Sequence, residues 1–193
     1  MQLHYTPRSH FARKVRIVLG ALAIPCELVD AGNAAGSDPA QFGPNPLLKV
    51  PTLVDGTQVV FESDHIAAWL VRRHDPADRF NVLTTDVDAL NARAAMNGIM
   101  AAEAELLLAE RTGLDTRAHR RFDKMREAIR LGLEWLEARP TAVTAVPTYH
   151  DFHLVSLWDH FALYDVVPLD YPHLRAHAAR IDELPYVAAT RPV

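Results

Sequence analysis

The stretch NPLLKVPTLVDGTQVVFESDHIAAWL, Asn45 to Leu70, decides the reading of the chain. It reads as a strand, a tight turn, a second strand and the opening of a helix. Val50-Pro51-Thr52-Leu53-Val54 is rich in the β-branched residues that suit a pleated surface. Asp55-Gly56 is a hairpin signal, because so tight a turn needs residues that tolerate positive φ. Val59-Val60-Phe61 returns, and Glu62-Ser63-Asp64 stands where a helix begins. Ser63 is placed as its N-cap, ahead of the apolar run Ile66, Ala67, Trp69, Leu70. Pro51 cannot donate to a ladder, so it belongs at an edge or carries a special peptide bond. A helix start exposes free N–H groups and a partial positive charge, a ready site for a carboxylate.

The wording NPLLKVPTLVDG…FESDHIAAWL resembles the glutathione-binding half of the cytosolic glutathione transferases. Their pattern is NP-x-x-x-VP-x-L-x-(D/N)-G, then a strand, then (E/Q)-S-x-x-I-x-x-Y/W-L. The resemblance implies that Pro51 is cis and that the exposed backbone of Val50 pairs with the cysteinyl part of glutathione. It also implies that Glu62 and Ser63 hold the γ-glutamyl end, with the peptide's carboxylate at the helix N-terminus.

Working outward, residues 2–5 read as a first strand ended by Thr6-Pro7. A helix follows with Phe11, Val15, Val18, Leu19 and Leu22 on one stripe. Residues 24–29 read as a second strand, with Cys26 buried in it. Residues 31–44 lack periodicity and form a loop or loose helical turn. The order β-α-β, loop, β-β-α fits a thioredoxin-like domain over 1–75, which the resemblance shares. Arg73 to Asp78 breaks the helix, and 76–83 is read as a linker.

Everything from 84 to 193 is helical in pattern. Residues 85–110 are alanine-rich, which suggests close helix–helix approach within the domain or across a dimer interface, and Gly113 ends that helix. Residues 116–138 repeat Phe122, Met125, Ile129, Leu133 and Leu136 at three or four. Pro140 stops that helix, and 140–147 is a loop. Thr148 and Asp151 stand in capping-box relation before the most apolar helix, a structural role. Helices around 172–181 and 183–190 close the chain. The expected fold is an α/β thioredoxin-like N-terminal domain followed by an all-α C-terminal domain.

Composition bounds the function. The chain has 193 residues, 49% hydrophobic and 23% charged, as an ordinary globular protein does. A net charge of -4 and a pI near 6.2 argue against a dedicated nucleic-acid binder. The short basic cluster Arg13, Lys14, Arg16 is expected to be a solvated helix face. One cysteine, Cys26, excludes an internal disulfide. With no signal-peptide order at the N-terminus and no apolar run of ~20 residues, a cytoplasmic protein without membrane contact is expected.

Ser9, just before the first helix, has two readings: an N-cap, which serines favour, or a hydroxyl donor to an anion. By alignment through RKVRIVL it falls on the catalytic serine of serine-type glutathione transferases, which implies that its hydroxyl stabilises the glutathione thiolate. Tyr5 is the alternative hydroxyl. The resemblance further implies a glutathione site of Ser9, Phe11, Lys49, Val50, Pro51, Glu62 and Ser63, with Lys49 either reaching the glycyl carboxylate or standing in solvent. A second-substrate pocket is expected from His10, Phe11, Met96, Met100, Glu103 and Leu107, its apolar lining suiting a small, partly hydrophobic electrophile.

The ten histidines raise a metal reading. His150 and His153, and His173 and His177, have the spacing to share helix faces. No cysteine or carboxylate completes either set, and no metal is expected. The resemblance implies a homodimeric transferase using glutathione as co-substrate. A zeta-like glutathione-dependent isomerase and a non-catalytic member of the superfamily stand as alternatives.

Overall fold

The computed structural model describes residues 1–141 and 144–193; positions 142 and 143, within the loop expected over 140–147, lie outside the described residues. Four strands form one mixed sheet: β1 (Gln2–Tyr5), β2 (Glu27–Asp30), β3 (Thr52–Asp55) and β4 (Gln58–Phe61), in the order β2-β1-β3-β4. β1 runs parallel to β2 and antiparallel to β3, and β3 is antiparallel to β4. A parallel pair needs a crossover, and α1 (His10–Ala21) supplies it. Leu3 stands opposite both Leu28 and Leu53, and Leu3 and Leu53 are fully buried. Gly56, at φ 59°, opens the two-residue turn between Asp55 and Gln58, where a side chain would be strained.

The helices are α2 (Ser63–His74), α3 (Val87–Arg111), α4 (Arg120–Glu137), α5 (Tyr149–Tyr164), α6 (Pro172–Ile181) and α7 (Pro185–Ala188). This is a thioredoxin-like mixed sheet followed by a helical domain, the fold expected. Short 3-10 turns cover Pro39–Phe42 and Thr116–Ala118. The helix expected to start at 116 therefore starts four residues later, at Arg120. Residues 75–86, between α2 and α3, carry neither helix nor strand. Among the described residues, no helix is long and apolar enough to cross a membrane.

α1 is the wall between the two halves, packing against α2 on one side and α5 and α7 on the other. It is buried nearly all round, and this overturns the solvated face expected of its basic cluster: Arg13 and Lys14 are enclosed. The Arg13 guanidinium reaches Asp159 at 2.7 Å, the Val155 carbonyl at 3.0 Å, and Asp182 and the Thr190 hydroxyl at 3.2 Å each. Lys14 reaches Asp64 at 2.6 Å. Buried charge survives where it is paired and hydrogen-bonded; the Arg13 contacts bolt the sheet domain to α5 and the C-terminal turns, and Lys14–Asp64 ties α1 to α2.

The capping box forms at Thr148, whose N–H and hydroxyl both donate to Asp151 Oδ2, at 2.6 and 3.0 Å. Asp151 Oδ1 lies 2.6 Å from His177 Nε2, tying α5 to α6. Cys26 departs from expectation. It precedes β2 rather than lying inside it, is half-buried, and has its thiol pushed up by that burial.

Candidate active site

The loop before β3 is built around Asn45. Its Nδ2 donates to the Lys49 carbonyl at 2.9 Å and to Thr52 Oγ1 at 3.0 Å, while its Oδ1 accepts from the Leu47 N–H at 2.9 Å. This closes the loop, with Leu48 at φ 52°, and presents Val50 ahead of the cis Val50–Pro51 bond. The Val50 backbone makes no hydrogen bond to any described residue, so it is open to an added strand-like segment.

Glu62 links β4 to α2 at φ 75°, a conformation that side chains rarely adopt. Such an outlier points to a functional constraint. The structure also moves the cap: Glu62, not Ser63, is the N-cap of α2, and Ser63 is the buried first helical residue. Glu62 and Ser63, at the start of this helix, line the same cleft as Pro51.

Ser9 is the N-cap of α1, its Oγ accepting from the Ala12 N–H at 3.1 Å. A hydroxyl has one proton and two lone pairs. Capping uses a lone pair and leaves the proton free to donate outward, so the two readings of Ser9 are compatible.

Ser9, Phe11, Lys49, Val50, Pro51, Glu62 and Ser63 all line one cleft of about 440 Å³ between the sheet and the helical domain. Lys49 is exposed at its rim. Tyr5 does not line it; the Arg16 guanidinium lies 5.1 Å from its ring centre.

The opposite wall corrects the expected pocket. His10, Phe11 and Leu107 line it, but Met96, Met100 and Glu103 are fully buried and do not. The cleft-facing stripe of α3 is Asn97, Ala101, Ala104, Leu108 and Arg111, one residue and about 100° round from the apolar stripe. The methionines sink into the core because they are apolar. His160 and Tyr164 of α5 complete the wall, and the exposed Arg8 and Arg111 stand at the cleft, Arg8 donating to the Val193 carbonyl and Arg111 to the Tyr164 hydroxyl, each at 2.7 Å.

Behind Ser63 lies a buried polar network. Asp64 accepts from Lys14 at 2.6 Å, Asn97 Nδ2 at 2.6 Å and the Tyr149 hydroxyl at 2.7 Å. Lys14 also donates to Asn97 Oδ1 and faces His153 Nε2 at 3.3 Å. Burial pulls the Lys14 ammonium down to about 8 despite Asp64. Burial would raise Asp64, but Lys14, His153 and the hydrogen bonds outweigh it and hold the carboxyl well below its ordinary range. The wholly enclosed lysine bears more of the desolvation than the partly open aspartate.

The histidine pairs weighed for metal do not converge. His153 faces Lys14, His173 pairs with Glu137 at 2.8 Å, and His177 with Asp151. Instead His10, Glu103 and His160, from three helices, place ligand atoms within 4.8 Å of one another. His10 Nε2 donates to the Met100 carbonyl at 3.0 Å. That bond places its proton on Nε2, and burial keeps the ring neutral by lowering its pKa well below 6.5.

Residues 3–78 match the family model "Glutathione S-transferase, N-terminal domain". The same fold over the whole chain is found in a glutathione transferase family member from Pseudomonas fluorescens Pf-5 with bound S-(propanoic acid)-glutathione. That protein is 25% identical at a TM-score of 0.78, with 100% of this chain and 99% of that one covered. Residues 3–78 belong to the glutathione S-transferase N-terminal domain family, and the whole chain has the fold of that transferase family member.

A glutathione S-transferase from Methylobacillus flagellatus KT with glutathione bound is 22% identical at a TM-score of 0.81, with coverage of 100% and 99%. A bacterial zeta-class maleylpyruvate isomerase is 22% identical at a TM-score of 0.73, with coverage of 100% and 97%. No curated protein sequence matches the chain significantly. Both structures share the fold, one named a transferase and the other an isomerase, so the chemistry of this chain must be argued from its own cleft.

Proposed function

We propose that this chain is a glutathione-dependent transferase that conjugates reduced glutathione to a small, partly hydrophobic electrophile. The observation that carries the reading is the convergence of Ser9, Val50, Pro51, Glu62 and Ser63, spread over 55 positions, on one cleft. In this reading Val50 pairs with the cysteinyl backbone, and Glu62 and Ser63 with the α2 N-terminus hold the γ-glutamyl end. Ser9 donates to the sulfur. A free thiol has a pKa of about 8.5, and a hydroxyl hydrogen bond at a helix start favours the thiolate.

The electrophile binds against Phe11, Leu107 and Leu108. The protein acts as a cytoplasmic homodimer, which sedimentation velocity tests.

A second reading, a glutathione-dependent cis–trans isomerase, draws support from Arg8 and Arg111. Two arginines at the rim of one cleft, both exposed, suit a carboxylate-bearing substrate.

The deciding experiment is calorimetric titration with reduced glutathione, followed by turnover of chlorodinitrobenzene and of maleylpyruvate. Conjugation without isomerisation supports the first reading, and the reverse the second. No glutathione binding overturns both.

A further inference from the structure

Glu103 lies on α3 with no exposure to solvent, and neither carboxylate oxygen has a hydrogen-bond partner. Among the described residues, the titratable group that acts on it is His160, and no lysine or arginine compensates it. His160 Nδ1 comes within 2.8 Å of Glu103 Oε2, yet the contact lacks hydrogen-bond alignment and leaves both atoms without a partner. His10 Nδ1 is a third orphan, buried beside them, with the two imidazole centres 4.0 Å apart. Each unsatisfied buried polar group calls for an explanation, such as an unseen water or ion, and here several sit together.

The geometry separates the candidates. A hydrogen-bonded pair aims the N–H at the oxygen. Two ligands of one cation both aim at the ion, so they sit side by side and out of line with each other. At bond lengths of about 2.0–2.2 Å, two ligands at 90° to each other stand about 2.8–3.1 Å apart and two tetrahedral ones about 3.3–3.6 Å; the 2.8 Å between His160 Nδ1 and Glu103 Oε2 matches the 90° arrangement. The His10 lone pair is free because its proton is fixed on Nε2 by the Met100 carbonyl, the arrangement that orients histidine ligands in metal sites.

We infer that His10, Glu103 and His160 form a binding site for one divalent transition-metal ion at the floor of the cleft. Two imidazoles and one carboxylate are a donor set for zinc or ferrous iron that leaves coordination positions open. His10 and His160 both line the cleft, which gives the ion its way in and turns the open positions toward a ligand there. The ligand atoms already lie within 4.8 Å of one another, and binding draws the three side chains in to coordination distance of about 2.0–2.2 Å from one ion. Nothing in this assignment depends on glutathione binding.

The test uses the full chain, stripped with chelator, and Zn²⁺ or Co²⁺ as probe. Equilibrium dialysis should find one tightly held ion per chain. Its affinity should fall at least tenfold in Glu103→Gln and in His160→Gln, with circular dichroism unchanged. His173→Ala, at the exposed His173–Glu137 pair, should leave it intact. X-ray absorption on the wild-type zinc form keeps the proposal falsifiable if the buried variants misfold, and two imidazoles in the first shell are expected. No stoichiometric metal on the folded wild type, one imidazole or none, or binding that survives both buried variants overturns the site. A glutathione titration of the metal-free protein, run alongside, reads the transferase proposal separately.

Discussion

Lys14 Nζ lies 2.6 Å from Asp64 Oδ1, with the lysine side chain wholly buried between the two domains. The pair joins α1 to the first turn of α2, immediately beside Ser63. Breaking a buried pair leaves one charge stranded, which costs about 3–5 kcal/mol, whereas removing both partners is often nearly neutral. Lys14→Met should therefore lower the melting temperature by roughly 6–20 °C for a chain of this size. The double variant Lys14→Met/Asp64→Asn should melt closer to wild type than either single one. Additive losses in a thermal-denaturation cycle would refute this account.

The same pair fixes the acid limb of stability. Asp64 is held below its ordinary range in the folded chain, so the folded state binds its proton less readily than the unfolded one. Its contribution is fully present above the unfolded carboxylate value near 4 and is lost as pH falls further. Urea titrations at pH 5 and pH 3 should show wild type losing more stability than Asp64→Asn over that interval. Equal losses would mean that other carboxylates carry the acid limb.

Legibility followed the range of the interactions. The hairpin at Asp55-Gly56, the Ser9 cap and the Thr148–Asp151 box are local chemistry, and the residues announce them. The burial of Arg13 and Lys14 is not local. Their carboxylate partners Asp159, Asp182 and Asp64 lie 146, 169 and 50 positions away, so a basic helix face looked solvated. The pocket stripe on α3 missed by one residue because apolar character marks the core, while the cleft is faced by Ala101, Ala104 and Arg111, which carry no hydrophobic signal. The shift of the α2 cap from Ser63 to Glu62 comes from a backbone turn that no side chain announces. His10, Glu103 and His160 come from three helices, so no spacing rule brings them together; the orphaned buried atoms do.

Gly132 on α4 packs directly against Ile99 of α3. A Cβ there would stand 2.8 Å from Ile99 Cγ1 and Cδ1, and Ile99 is buried. Overpacking costs about 1–3 kcal/mol, against a helix-propensity gain of at most about 1 kcal/mol over glycine. The clash wins, and Gly132→Ala should destabilise. Gly98 on α3 has open space around it, so Gly98→Ala should stabilise by about 0.5–1 kcal/mol. Chemical denaturation of the two variants should give opposite signs, and matching signs would discard the packing argument.

Ser9 offers the sharpest separation of folding from chemistry. Its Oγ lone pair caps α1 through the Ala12 N–H, and its proton is proposed to stabilise the glutathione thiolate. Ser9→Ala removes both and should cost about 1 kcal/mol of stability together with activity. Ser9→Asp keeps a strong cap acceptor and adds a negative charge favourable at a helix N-terminus. As an ionised carboxylate it has no proton to give and repels a thiolate. That variant should fold as stably as wild type while the pKa of bound glutathione rises, each unit corresponding to about 1.36 kcal/mol of lost thiolate preference. Ser9→Thr, which retains both functions of the hydroxyl, should keep most of the thiolate. The thiolate ultraviolet band followed against pH, beside the melting curve of each variant, decides the matter: a thiolate retained at neutral pH by Ser9→Asp would confine Ser9 to capping.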